Sequence, residues 1–403
     1  MPKLKEFAVG PWRAVSVLGV AQILSWGALF YPPVLTVPLI AADHGWSKAQ
    51  AMAGFSLGLF VGGTVSRHVG GMIDRHGGHV VMPCGSLIGA AGLCGLVAAP
   101  TASTYFAAWT VLGVAMAASL YDPAFATLGR IFGASARAPI TTLTLAGGFA
   151  STVSWPATQF LIGVVGWRGT YLVYAALLAG VGAPLLAFAL PRRRATAAPR
   201  PVHSAPPAKE TLPARGLTFM LVAAAFAAYA FVPSALSAQL LAIFTRFGLA
   251  PATVVVIGML FGPAQVLARI GELTVARRLH PLSIARGAIS LLVAAFVLLA
   301  ALPFSVTIAA LFAVAYGMAN GLMTIARGTV PLALFGATGY GLLVGRIGGP
   351  FLIVQSVAPV VLTYVDERIS DAAGLMLVAA FAATSLTCFA AIRIEAKSKI
   401  ASD

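Results

Sequence analysis

Charged and apolar positions divide this chain into long alternating blocks. No Asp, Glu, Lys or Arg occurs in residues 14–42, 76–121, 138–167, 169–191, 217–245, 247–268, 287–326 or 372–392. Each gap can hold one or two apolar helices of the roughly 20 residues needed to cross a bilayer. With Gly, Pro and charge clusters as punctuation, the pattern predicts helices near 12–40, 49–70, 80–98, 104–127, 139–164, 168–190, 217–244, 252–275, 283–302, 305–327, 339–364 and 372–393. The expectation is an all-α integral membrane protein with twelve transmembrane helices.

Composition agrees. Of 403 residues, 59% are apolar and 9% charged, against about a quarter charged in soluble proteins, which excludes a water-soluble globule. The net charge of +15 would suggest nucleic acid if it covered one soluble face, but the basic residues sit in loops, so no nucleic-acid partner is expected. With the N-terminus inside, twenty Lys and Arg face the cytoplasm and only Lys48, Arg168, Arg246 and Arg368 face out. This positive-inside bias predicts a multi-pass protein of the inner (plasma) membrane with both termini cytoplasmic. Lys3, Lys5 and Arg13 precede an apolar run too long for a signal peptide, and it contains Pro32, Pro33 and Pro38; an uncleaved first helix is expected. Cys84, Cys94 and Cys388 show no metal or disulfide spacing and read as small core residues.

One long polar stretch interrupts the helices. Residues 191–216 carry Arg192, Arg193 and Arg194 followed by five prolines, a composition suited to extended chain rather than to a core. This predicted cytoplasmic linker separates residues 1–190 from 217–403, six helices from six. The halves also show a repeat. At an offset of 201, Phe30, Pro32, Leu35 and Leu39 match Phe231, Pro233, Leu236 and Leu240, and Gly147-Gly148 match Gly348-Gly349; after a small gap Gly54 and Gly58 fall on Gly258 and Gly262. Two pseudo-symmetric six-helix bundles are the expected architecture.

Between helices 2 and 3 the chain reads Gly70-Gly71-Met72-Ile73-Asp74-Arg75-His76-Gly77-Gly78-His79. This resembles the signature loop of the major facilitator superfamily, G-x-x-x-D-R-x-G followed by two basic residues. Gly70, Asp74, Arg75 and Gly77 fit, while Gly78 and His79 replace the basic pair. The glycines permit a sharp turn, and the aspartate can pair with an arginine or a helix N-terminus. The resemblance covers essentially the whole chain. It implies the major facilitator fold, a secondary transporter working by alternating access, and a conformational lock at Gly70, Asp74, Arg75, Gly77 and Arg130 that stabilises the outward-facing form. Asp43-His44-Gly45-Trp46-Ser47 and Gly166-Trp167-Arg168 look like the bacterial monocarboxylate and oxalate/formate porter branch. The drug-antiporter signature of helix 5 is absent, its place taken by Ser151, Thr152, Ser154, Trp155 and Pro156.

Ionisable groups within the bilayer are expensive and therefore functional candidates. Arg269 in helix 8 resembles the arginine that binds substrate carboxylate in the monocarboxylate branch; the competing expectation is a self-contained pair with Glu272 at i+3. Arg346, among Gly345, Gly348 and Gly349, is a second candidate for a carboxylate, against snorkelling to the surface. Asp122 and Glu272 are candidates for proton coupling, Asp122 competing with a structural pairing to Arg130 or Arg327. Gln22, Tyr31, Tyr229, Asn320 and Gln355 suggest the cavity wall, since the resemblance implies that helices 1, 4, 7 and 10 line it; interhelical hydrogen bonding is the plainer reading of each. Trp12, Trp46, Trp109 and Trp167 lie near predicted helix ends and suit an interfacial belt.

No lysine follows a glycine, which excludes a G-K-[ST] phosphate loop, and no H-E-x-x-H occurs. The reading is a transporter rather than an enzyme, with no cofactor or metal expected. It would sit in lipid as a monomer and move a small organic anion, monocarboxylate-like, with protons or by exchange. An efflux pump for amphipathic drugs is the alternative.

Overall fold

The computed structural model describes residues 10–192 and 216–393. Residues 193–215, which hold nearly all of the predicted linker, lie outside the described residues, as do Lys3, Lys5, Lys397 and Lys399. Every regular element among the described residues is helical. Ten helical runs are long and apolar enough to cross a membrane. One of them, Arg137–Ala189, has 53 residues, roughly 80 Å of helix against a bilayer core of about 30 Å. It breaks at Gly166, whose φ of +68° admits the reversal, and so supplies two crossings. The glycine-rich helix Lys48–His76 completes the twelve.

Six segments form the N-terminal half. They are α1 (Arg13–Leu29) with α2 (Pro33–His44), α3 (Lys48–His76), α4 (Gly78–Val97), α5 (Ala102–Ser119) with α6 (Tyr121–Phe132), α7 (Arg137–Gly147) with the first part of α8 (Ala150–Leu177), and the remainder of α8 running into π-helical turns to Ala189. The C-terminal half comprises α9 (Leu217–Arg246), α10 (Pro251–Met259) with α11 (Phe261–Thr274), α12 (Pro281–Ala301), α13 (Val306–Phe335), α14 (Tyr340–Arg368) and α15 (Asp371–Ala391).

Several segments break near mid-length, each for a local reason. Pro32 and Pro33 follow one another at the α1–α2 junction and remove two backbone donors. Leu120 is extended between α5 and α6. Gly147 and Gly148 separate α7 from α8, and Leu260 lies between α10 and α11 ahead of Pro263. Non-helical backbone at membrane depth is tolerated only where protein or a cavity satisfies it, and these four breaks converge on the central site.

The structure corrects four expectations, two in helix length and two in burial. Helix 10 does not end at 327: Pro331 is carried inside α13, which continues to Phe335. Arg327 therefore lies about two turns inside the helix rather than in a cytoplasmic loop. Helix 2 runs on to His76, which draws Arg67 nine residues inside α3. Trp109 is no belt residue: it is buried against Gly54 and Gly58 of α3. Cys84 and Cys94 are exposed rather than core.

Candidate functional site

The two halves meet at one end of the molecule, the end that carries Asp74, Arg130, Arg137 and the α13–α14 turn. Extensive contacts between the halves are made by α3 with α14, α6 with α14, and α7 with α11 and α13. Among the described residues α1, α2 and α8 make none of comparable extent with α9 or α10. The basic end is sealed and the opposite end splays.

The seal begins with backbone on backbone. A side chain at Gly70 would collide with the Gly341 carbonyl, and one at Gly345 with the Ser66 carbonyl, so α3 and α14 approach as only glycine permits. Asp74 closes this seam. Its Oδ1 accepts from Gly341 N at 2.9 Å and its Oδ2 from Leu342 N at 2.7 Å. These are first-turn donors of α14 that no intrahelical carbonyl can satisfy, and they present the positive end of the helix dipole to a carboxylate. Arg130 works from the other side, donating to the carbonyls of Ile73, Asp74 and Arg75 and so capping the C-terminus of α3. Gly77, with φ at +85°, makes the turn, and the Arg75 side chain is exposed. Tyr340 adds a further layer, its ring against Gly129 and its hydroxyl donating to the Gly328 carbonyl.

Two ion pairs cross between the halves deeper in the structure. Arg327 of α13 pairs with Asp122 of α6, both largely buried, and its guanidinium stacks 3.7 Å from the Phe351 ring centroid. Asp122 thus takes Arg327 and not Arg130. Glu272 of α11, 2% exposed, pairs with Arg137 of α7: Nε and Nη2 donate to Oε1 at 3.2 and 2.8 Å. Arg137 also donates to the Leu279 and Ala276 carbonyls. The expected Arg269–Glu272 pair is corrected by this geometry, because the carboxylate is already held by a cation from the other half. Just outside the membrane segments, burial and then Arg137 and Arg286 hold the His280 imidazole below its ordinary pKa; its Nδ1 accepts from Leu282 N at 3.2 Å.

Among the described residues Arg269 is consequently a cation without an acid. Only 3% exposed, it donates through Nη1 to the Thr144 carbonyl at 2.8 Å and through Nη2 to Gln265 Oε1 at 3.4 Å, while Nε has no partner. The α7–α8 break makes room for it, since any side chain at Gly148 would overlap Nη1. Tyr31 at the α1–α2 break, Tyr121 at the α5–α6 break and Tyr229 of α9 all lie close enough to interact electrostatically with this guanidinium. Tyr229 donates to Asn320 Oδ1 of α13.

About one helical turn beyond Gly148, a pocket of about 540 Å³ opens between α2 and α8, lined by Val34, Leu35, Ser151, Thr152, Trp155, Pro156 and Gln159. Tyr31 joins it to the arginine, its ring 6.3 Å from that of Trp155. The arrangement offers a buried guanidinium beside an apolar slot, which is the complement of an organic anion with an apolar body.

The other predicted wall residues divide. Tyr31, Tyr229 and Asn320 lie with Arg269, as described. Gln22 does not face a cavity: fully buried, it donates to the Ser119 and Leu120 carbonyls and accepts from Trp26 Nε1 at 3.0 Å, satisfying the backbone freed at the α5–α6 break. Gln355 is half-buried on the face of α14 that also carries Gly348 and Phe351, and its carbonyl accepts from Ser234. Arg346 is corrected most clearly. It is nine residues from Gln355, about two and a half turns, and so projects from the opposite face of α14, away from the Asp122–Arg327 pair.

Sequence reasoning named Arg327 as a partner of Asp122 but placed it in a loop, and it missed the roles of Arg137, Tyr121, Gln265 and Gly148. Arg327 and Arg137 were legible as charges but not as embedded ones; the apolar run after Arg327 was the available signal. Asp43 and Arg168, from the two short motifs, do meet: Asp43 Oδ2 accepts from Arg168 Nη1 at 2.6 Å and from Trp167 Nε1 at 2.7 Å.

The sequence profile of the Major Facilitator Superfamily matches residues 16–359. No curated protein matches the chain. Among solved structures, the human organic anion transporter MFSD10 (TETRAN) is similar at 16% identity with a TM-score of 0.70, over 94% of this chain and 100% of that one. A bacterial homologue of the iron transporter ferroportin in an outward-facing state is similar at 14% identity with a TM-score of 0.69, over 94% and 98%. At such identities the likeness is one of fold.

Proposed function

The chain belongs to the major facilitator superfamily and is a multi-pass membrane transporter rather than an enzyme, and we propose that its substrate is a small organic anion, monocarboxylate-like, moved by alternating access. One observation carries this reading: Arg269 is buried and, among the described residues, lacks an acidic partner and keeps an unsatisfied Nε. An uncompensated guanidinium in a low-dielectric setting is costly until an anion reaches it, and its planar fork suits a carboxylate. The slot lined by Val34, Leu35, Trp155 and Pro156 would take the body of the substrate. The scarcity of acids argues against a metal-ion substrate, for among the described residues no group of three His, Cys, Asp or Glu side chains could hold one.

With the arginine-rich end in the cytoplasm of a bacterial inner membrane, as the positive-inside bias supports, the described conformation is outward-facing. The six-helix bundles of residues 1–190 and 217–403 would then rock as bodies about the central site, joined by residues 191–216 in a monomer. Asp122, held by Arg327, is the acid best placed for proton coupling. Protonation would release Arg327, loosening the link between α6 and α13.

The test is uptake of labelled monocarboxylates into proteoliposomes, with and without a pH gradient. Arg269→Gln should nearly abolish uptake without unfolding the protein, because Glu272 keeps its own partner Arg137. Arg269→Lys should raise the apparent KM, having kept the charge and lost the fork. Undiminished uptake by Arg269→Gln would refute the assignment. The apolar slot favours a second reading, efflux of amphipathic compounds. In that case an uncharged amphipathic dye would be transported, and Arg269→Gln would leave its transport unchanged.

A further inference from the structure

Arg346 is left without a substrate role, and its surroundings assign it another. On α14 it shares a stripe with Pro350, Val357 and Tyr364, all exposed, which is the face turned away from the bundle. Across the α3–α14 seam, Gly63 meets Ile353 and Gly71 meets Leu342. Arg67 lies four residues from each of those glycines, on the same rim of α3. The α-carbon of Arg67 is in turn 3.0 Å from where a β-carbon on Gly345 would stand. Two arginines, one from each half, therefore flank the same rim of the seam. Arg67 is exposed and Arg346 half-buried. Neither has an ion pair or hydrogen bond among the described residues. The nearest acid along α3, Asp74, is committed to the start of α14.

Depth identifies what can reach them. Arg67 is nine residues from the end of α3 and Arg346 six from the start of α14, about 14 Å and 9 Å of helix. Both can snorkel to the phosphate level of the leaflet at the basic end. Two like charges on a closed seam repel, and a single phosphodiester can bridge both guanidiniums with paired hydrogen bonds. The seam is sealed, so no aqueous cavity competes for this rim.

We propose that Arg67 and Arg346 bind the phosphate of one anionic phospholipid, which clamps α3 to α14 on the lipid side and favours the closed basic end. The proposal is independent of the substrate. By linkage, lipid that binds the closed seam stabilises it, and opening the seam expels the lipid.

The test uses the full chain in nanodiscs of phosphatidylcholine alone and of phosphatidylcholine with increasing phosphatidylglycerol, read by thermal unfolding midpoint and by lipid retained in native mass spectrometry. Wild type should gain stability and retain phosphatidylglycerol. Arg67→Gln/Arg346→Gln should need about thirtyfold more anionic lipid for the same gain, having lost two surface cations. Arg277→Gln/Arg278→Gln removes the same charge from an exposed turn and should behave as wild type. Should the glutamine pair fold poorly, Arg67→Lys/Arg346→Lys should fold and bind with intermediate strength. The proposal is overturned by any of three results: an undiminished gain in either seam variant, an equal loss in the Arg277/Arg278 control, or an equal gain when inorganic phosphate is added to phosphatidylcholine discs.

Discussion

Two seams close the basic end, and they are built from opposite materials. The α3–α14 seam is glycine against backbone, with Asp74 giving both oxygens to main-chain donors of α14. The α7–α11 seam is side chain against side chain, with Glu272 giving its carboxylate to Arg137 and Arg269 reaching back to the Thr144 carbonyl. Matched glycine pairs sit in both. Gly348-Gly349 stay within an unbroken α14, where they admit Asp122 and the α3 backbone, whereas Gly147-Gly148 end α7 and admit a guanidinium. A glycine pair creates room, and its neighbours decide whether backbone or charge fills it. The first seam depends on shape and the second on charge, so the two should respond differently to substitution.

The largest effect should therefore come from shape. Gly70→Leu places a side chain where the Gly341 carbonyl lies, and because the obstacle is backbone no rotamer relieves the overlap, so the two helices must separate. We expect the variant to insert normally but to lose the closed basic end, read as a large rise in labelling of a single cysteine replacing Ser66, which is buried at the seam. Labelling equal to that of the parent would show that the seam is more plastic than its backbone contacts imply. Next should be Arg137→Gln, which strands a nearly fully buried Glu272. Removing one partner of a buried pair typically costs about 3–5 kcal/mol, and a drop in the thermal midpoint should be largely recovered by adding Glu272→Gln. Failure of that rescue would mean that Arg137 acts through its bonds to the Leu279 and Ala276 carbonyls instead.

Much of this fold was legible in the sequence because membrane crossing imposes a crude requirement, long apolar runs between charges, and 14–42 or 372–392 meet it without ambiguity. The signature around Asp74 was legible for a similar reason: few residue types can make that turn and that cap. The site was less so. Whether Arg269 pairs with Glu272 or stands alone depends on Arg137, 132 residues away in the sequence, and no local spacing carries that information. Pro331 misled in a different way, since a proline that would end an aqueous helix is accommodated inside α13. Arg346 and Arg269 look alike as isolated cations, and only the rotation of each about its helix separates them.

Asp74→Asn probes the backbone seam more gently. The amide keeps one oxygen acceptor for the α14 donors but loses the charge, and charge-assisted bonds of this kind are about twice as strong as neutral ones. A loss of about 1–2 kcal/mol corresponds to roughly tenfold in the ratio of closed to open forms, measurable by differential labelling of cysteines on the two faces. Asp74→Ala, which removes both acceptors, should exceed it. Equal effects of the two substitutions would indicate that charge rather than hydrogen bonding closes the seam.

The smallest effect is expected at the splayed end, where the halves carry the same device with reversed sign. Asp43 binds Arg168 in the N-terminal half and Arg246 binds Asp371 in the C-terminal half; both pairs are separated by 125 residues. In each, the residue closing the first crossing of its half is tied to the residue opening the last, so the pair fastens a bundle to itself. The Asp43–Arg168 pair is nearly half exposed on both sides, and exposed pairs are worth about 0–1 kcal/mol. Reversing it, Asp43→Arg with Arg168→Asp, reproduces the polarity of the other half and should leave the thermal midpoint within a degree or two. The Trp167 indole, which donates to Asp43 at 2.7 Å and carries the Arg168 guanidinium 4.4 Å from its ring centroid, loses both contacts on reversal. A much larger loss, rescued by Trp167→Phe, would show that the indole bond and not the ion pair holds this end of the bundle.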